Sequence, residues 1–169
     1  MTGKSMNQLK GESLLLVKVK PGEVHKAVRD LRRNEEITEV NAVLGPYDIV
    51  ASGSFEDHRS LRNFAELVES KPFCQSCNAR PALEFWERET ENPSQGLGWT
   101  LIKSSNPSGT LKELRKLENI RKLIWTAGEY NIIANFSVGS QHEWNSTVFK
   151  RIQSATGIRD TLTLPSLPD

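Results

Sequence analysis

The sequence predicts an α+β fold of two tandem ferredoxin-like βαββαβ sandwiches, each an antiparallel sheet with both helices on one face. Three observations predict it. Residues 14–55 lie over residues 97–138 at a constant offset of 83 without a gap, and 11 of those 42 positions are identical. The phrase Gly45-Pro-Tyr-Asp-Ile-Val-Ala51 returns as Gly128-Glu-Tyr-Asn-Ile-Ile-Ala134. In each copy apolar residues follow strand and helix periods in the order strand, helix, strand, strand, helix, strand.

In the first copy, Leu14–Lys20 is apolar and β-branched, and Pro21-Gly22 stops it. Glu23–Arg33 places Val24, Ala27, Val28 and Leu31 at helical spacing with charges opposite. Ile37–Leu44 and Tyr47–Phe55 read as strands joined at the Gly45-Pro46 corner, where glycine permits a positive φ. Asp57 caps a helix from His58 to Glu69 that turns Leu61, Phe64, Ala65 and Val68 inward. A loop containing Phe73-Cys-Gln-Ser-Cys77 follows, and Ala82–Glu87 is the expected fourth strand.

The second copy repeats the order. Leu97–Lys103 is a strand, Thr110–Leu117 a helix, Ile120–Ala127 and Tyr130–Val138 a hairpin, Gln141–Ser154 a helix and Asp160–Leu164 the last strand. The expected organisation is an N-terminal extension (1–12), a first copy (13–88), a polar linker (89–96) and a second copy (97–167). The strands do not alternate cleanly. Leu14, Leu16, Val43, Val50, Trp86, Trp99, Leu101, Ile124 and Ile133 fall out of phase with the helix-covered set. A second apolar face left in water would be a large adhesive patch. Sheets are therefore expected to pack on sheets, copy on copy or chain on chain, which predicts a homo-oligomer or an internal pseudo-dimer.

Composition narrows the function. At 37% hydrophobic and 25% charged, the chain of 169 residues can bury a core. A net charge of +1 supplies no field for nucleic acid or acidic membranes. No apolar run approaches the roughly 18 residues of a membrane span, and no signal peptide is visible. Two cysteines make no disulfide framework, so a cytoplasmic location is expected.

Gly-x-Tyr-Asp at a β2–β3 corner inside a βαββαβ unit resembles the effector domain of the Lrp/AsnC (feast/famine) regulators. The ending Ile152-Gln-Ser-Ala-Thr-Gly-Ile-Arg-Asp-Thr-Leu-Thr163 is similar to that family's closing pattern. The resemblance covers residues 13–88 and 97–167. It implies a small effector, such as an amino acid, bound near the corner at subunit boundaries. Carried over residue by residue, the ligand-binding candidates are Gly45, Tyr47 and Asp48 in the first copy, and Gly128, Tyr130, Asn131, Thr161 and Thr163 in the second. Asp48 suits an α-ammonium, and threonine hydroxyls suit a carboxylate. Asn131 departs from the pattern by losing the charge.

Only 13 residues precede the first strand, too few for the family's helix-turn-helix, and no segment reads as a recognition helix. The basic helix with Lys26, Arg29, Arg32 and Arg33 reads as a solvated face. The expectation is a stand-alone effector-binding regulatory protein, non-catalytic, with no direct nucleic-acid contact, whose partner is a DNA-binding regulator or another copy. One alternative is a ligand-free oligomeric scaffold.

The other alternative is a haem- or metal-dependent enzyme built on tandem ferredoxin-like units. Cys74 and Cys77 supply two of the four ligands of a structural zinc site, with His58 or a symmetry mate to complete it. Unliganded cysteines, and hence no cofactor, are the simpler reading. His58 and His142 stand at matching places and could ligate a haem iron, but polar first turns usually face water. His25 reads as surface. The four tryptophans read as core or sheet packing, and the sequence shows no paired carboxylates, Ser/His/Asp set or phosphate loop.

Overall fold

A computed structural model describes residue 9, residues 11–89 and residues 97–167. Most of the expected extension and linker lie outside the described residues. The chain divides into two compact units between Leu83 and Glu84.

The first unit runs β1 (Glu12–Val19), α1 (Val24–Arg32), β2 (Ile37–Ala42), β3 (Ile49–Ser54), α2 (His58–Glu69) and β4 (Cys74–Arg80). Its antiparallel sheet has the order β2-β3-β1-β4. The second unit runs β5 (Glu84–Glu87), β6 (Leu97–Ser104), α3 (Pro107–Leu114), β7 (Ile120–Trp125), β8 (Ile132–Ser137), α4 (Gln141–Trp144), a π-helical segment (Asn145–Ile152) and β9 (Ile158–Pro165). Its sheet has the order β5-β7-β8-β6-β9. These are the two tandem ferredoxin-like units that the repeat predicts.

Local chemistry sets the helix starts. Asp57 Oδ1 accepts from the Ser60 N–H at 2.8 Å, satisfying one of the orphan donors of α2. Asn106 does the same for Gly109 at 3.2 Å, with Pro107 in the first turn of α3. Ser140 accepts from Glu143 N at 3.2 Å, while Glu143 Oε2 reaches back to Gly139 N at 2.6 Å.

Each helix pair buries its stripe on one sheet face. In the first unit Ala27, Val28, Leu31, Leu61, Phe64 and Val68 pack with Leu15, Val17, Ile49 and Ala51. Leu111, Leu114, Val148 and Ile152 pack with Ile102, Ile132, Ala134 and Phe136 in the second. The out-of-phase residues are buried as well: Leu14, Leu16, Val50, Trp99, Ile124 and Ile133 are fully inaccessible. The inner strands of each sheet are therefore buried on both faces. Trp86 is the exception, partly buried against the helix-side core of the second unit.

The structure corrects three sequence expectations. First, the fourth strand is β4, not Ala82–Glu87, and it carries the Cys-x-x-Cys that was expected in a loop without a counterpart. Two cysteines three apart break the period of a strand, but β4 contains a bulge. Lys18 stands opposite Ser76 and Val19 opposite Cys74, so Gln75 is an extra residue. The bulge returns Cys74 and Cys77 to one face, where both join the core. A matching bulge in β9 leaves Arg159 extra, since Lys103 stands opposite Asp160 and Ser104 opposite Ile158. Residues Glu84–Glu87 instead pair with β7. Arg88 fastens that edge by donating to the carbonyls of Arg115 (2.7 Å), Leu117 (3.1 Å) and Ile120 (3.1 Å) while lying over Trp86.

Second, the offset between copies is not constant. Val17 faces Ile49, and Ile102 faces Ile132. The first strands are thus offset by 85 and the third strands by 83. The connection from β6 to α3 is two residues shorter than that from β1 to α1. The identities Leu14/Leu97 and Lys20/Lys103 are therefore not structural equivalents. A slip of two preserves every side chain's face, which is why the phase of the core still reads correctly.

Third, the last helix, expected as one run over Gln141–Ser154, widens into π geometry from Asn145. Asp57 and Ser140 cap at an offset of 83, whereas the buried residues Val68 and Ile152 match at 84. A π turn is how a helix absorbs one added residue. Deleting the exposed Asn145 should accordingly restore an α-helix and leave the melting temperature within a few degrees of wild type. The same deletion at exposed Asn63 of α2 should rotate Phe64 and Val68 out of register and unfold the first unit. Thermal melts and amide spectra of the two deletions decide; equal damage would exclude the insertion account.

Candidate functional site

The two corners keep one shape. Gly45 and Gly128 both have positive φ, 131° and 117°, which only glycine tolerates well. Val43 N donates to Asp48 O at 2.9 Å, and Thr126 N donates to Asn131 O at the same distance. The side chain that distinguishes the corners works on the main chain of the first strand. Asp48 Oδ2 accepts from Val19 N at 2.8 Å. Asn131 Oδ1 accepts from Ser104 N at 2.9 Å, and its Nδ2 donates to Ser104 O at 3.0 Å. Each thus extends the ladder one step past the end of β3 or β8, at the residue where the edge-strand bulge begins. The amide mimics a peptide group in both directions; the carboxylate can only accept.

Of the other ligand-binding candidates, Tyr47 is half-buried beside Asp48. Tyr130 donates from its hydroxyl to Asp160 Oδ2 at 3.0 Å, and Asp160 Oδ1 accepts from Thr161 N at 2.9 Å. Thr161 Oγ1 accepts from Gln153 at 3.3 Å, and Thr163 Oγ1 lies 3.2 Å from Thr100 Oγ1. The structure thus brings the Tyr130 hydroxyl, the Asp160 carboxylate and the Thr161 N–H together at the start of β9, while the side chains of Thr161 and Thr163 share its helix-side face.

A cleft of about 870 Å³ opens in the first unit between α2 and the edge strand β4. Small residues of β4, Cys77 and Ala79 with Pro81 beyond, leave the space that α2 does not fill. Leu61 and Ala65 line its inner wall, and His58, Arg59, Arg62, Glu66 and Glu69 line its rim. Glu69 Oε1 accepts from Cys77 N at 3.4 Å. The bulges align Cys77 with Thr161 and Ala79 with Thr163, so the cleft floor stands where the second copy has the threonines of the closing pattern. Sequence reading missed Arg59, Arg62, Glu66 and Glu69. Their spacing on one side of α2 was visible, but nothing signalled that β4 would be small-sided beneath them.

Burial, reinforced by Cys74 and then by Glu69, pushes the Cys77 thiol up to about 12. Burial and then Glu69 push the Cys74 thiol up as well. Both are uncharged at neutral pH, the opposite of an activated redox pair. His58, His142 and His25 are all exposed. Among the described residues no group of three or more His, Cys, Asp or Glu side chains is placed to hold a metal ion. Among the described residues no helix is long and apolar enough to cross a membrane.

The Lrp/AsnC ligand binding domain family matches residues 12–91. The HTH-type transcriptional regulator FL11 of Pyrococcus horikoshii is 31% identical over 81 residues, 48% of this chain and 54% of its own length. The chain thus spans about half the length of that curated relative. Among solved structures, the siroheme decarboxylase NirDL shares the fold over 93% of this chain and 71% of its own, with a TM-score of 0.73 and 7% identity. NirDL has also been solved in complex with an iron-uroporphyrin III analogue. A putative monooxygenase of Fusobacterium nucleatum matches over 92% of this chain and 90% of its own, with a TM-score of 0.51 and 10% identity. The expectation of a non-catalytic protein is corrected by NirDL: the tandem fold is one that an enzyme also carries, so it gives no ground for setting catalysis aside.

Two predictions follow from this geometry. Replacing Asn131 by Asp should remove the donor to Ser104 O and destabilise the second unit by about 1–2 kcal/mol at neutral pH. Stability should recover as pH falls below the carboxylate range and the acid regains a proton to donate. A flat pH profile of ΔG in urea titrations would contradict the bridge. For Cys77 the sign is that of a raised acid: the neutral thiol's contribution is complete below the free-thiol value of 9.0 and is lost as pH rises toward about 12. At pH 8 the Cys74 thiol should react with a disulfide reagent only as fast as the first unit unfolds, and Cys77, which lines the cleft, should react slowly because its raised pKa leaves almost no thiolate. Fast reaction of the native chain would contradict their burial.

Proposed function

We propose that this chain, whose residues 12–91 are an Lrp/AsnC ligand binding domain, senses a small amino-acid-like effector in its first unit and relays occupancy to another copy or to a DNA-binding regulator. The observation that carries this reading is the cleft between α2 and β4. Arg59 and Arg62 suit a carboxylate, bidentate where the fork can meet both oxygens. Glu66 and Glu69 suit an ammonium one to two helical turns further on, and Leu61, Ala65, Cys77 and Ala79 give an apolar seat between. In this reading Gly45, Tyr47 and Asp48 form the corner that holds β1 in place, and β1 in turn positions β4 and the cleft floor.

The test is a thermal-shift panel of the individual L-amino acids. A ligand present at about 100 times its Kd should stabilise the chain by about 2.7 kcal/mol. Arg62→Ala and Glu66→Ala are exposed and should fold normally while losing the shift. Silence of the wild type toward every amino acid would refute the ligand class.

A second reading has its own support. NirDL, with the same tandem fold, takes an iron tetrapyrrole, and this cleft combines exposed His58 with Arg59 and Arg62 over an apolar wall. His58 would hold the iron and the arginines the ring carboxylates; the bound group would supply iron-porphyrin chemistry. Titration with iron uroporphyrin should then raise a Soret band that shifts in His58→Ala. A spectrum equal to that of the free porphyrin would discard this reading.

A further inference from the structure

The two units present different charge patterns along the corresponding helix. On α2 the cations come first, Arg59 and Arg62, and the carboxylates follow, Glu66 and Glu69. In the second unit the caps align Arg59 with His142, and the π turn then shifts the match so that Glu66 aligns with Lys150 and Glu69 with Gln153. Neither place occupied by a guanidinium in the first unit holds one in the second, where Arg62 answers to uncharged Asn145 or Ser146. A zwitterion lying there as on α2 would find no guanidinium for its carboxylate and would meet Lys150 with its ammonium.

The floors differ independently of the charges. Cys77 and Ala79 are small and offer no hydroxyl. At the matching places Thr161 Oγ1 is engaged by Gln153, and Thr163 Oγ1 by Thr100.

We infer that the duplicated chain binds one effector, not two: the first unit is the receptor, and the second excludes the same ligand because it lacks both guanidiniums and sets Lys150 where Glu66 stands. This rests on the amino-acid reading of the first cleft. The repeat then supplies one sensing half and one half of the same shape that stays empty in the same solution.

Calorimetric titration of the whole chain with each L-amino acid tests it. An amino acid that binds should do so at one per chain. Arg62→Glu should weaken it at least about tenfold, as expected for loss of a charge-assisted pair, with Arg62→Gln as a milder control for folding. The double variant Asn145→Arg/Lys150→Glu should leave that first affinity unchanged and allow a second, weaker event. A stoichiometry of two in the wild type overturns the inference while leaving the ligand reading intact. So does a loss of binding in the Asn145/Lys150 variant with Arg62→Glu silent. No heat with any amino acid overturns the ligand reading itself, and the inference with it.

Discussion

One constraint organises this molecule: along a strand, two steps keep a side chain on its face and one step turns it over. The inner strands of both sheets are buried, so none can tolerate an odd shift without placing an entire row wrongly. Every difference between the copies obeys that rule. The first strands have slipped by two. The odd residue in each edge strand is expelled as a bulge at Gln75 or Arg159. The one-residue gain in the last helix, where period two does not apply, is taken up by a π turn.

The same rule explains the corner. Beyond the last paired residue of β3 the ladder would end while β1 still has to reach its bulge. Asp48 supplies a side-chain acceptor there, and Asn131 supplies an acceptor and a donor. The phrase shared by the two copies is thus in the first place a splice between a hairpin and its neighbouring strand. Its conformation needs Gly45 and Gly128; its attachment needs a short polar side chain three residues later. The cleft lies across β1 from the splice, where β4 is small-sided and α2 is charged.

How much was legible follows from these details. The element order, the cap at Asp57, the buried stripes of α1 and α2 and the glycine corners were readable, because each depends on local periodicity or on one residue's conformational range. The fourth strand was not, because Cys74 and Cys77, three apart, do not match strand spacing until a bulge intervenes. The slip in the first strand was hidden because an even shift leaves the apolar phase unchanged. Arg62 and Glu66 looked like an ordinary solvated helix face, and only the placement of Ala79 beneath them makes a cleft. Catalytic potential was misjudged for a different reason: a search for familiar triads and phosphate loops is blind to a fold that serves an enzyme such as NirDL.

The hydrogen bond from Cys77 to Glu69 has a consequence for colloidal behaviour. Strand β4 ends its sheet, and the outward positions of an edge strand invite a foreign strand to continue the ladder. Here the Cys77 N–H is given to Glu69 and Pro81 has none to give, so the run of donors is broken on both sides of Ala79. The margin of the cleft is thereby open to a small solute and closed to filament growth. Because Glu69 also sits on the rim, a substitution there that retunes binding would at the same time unblock a polymerising edge, which ties solubility and ligand choice to one carboxylate.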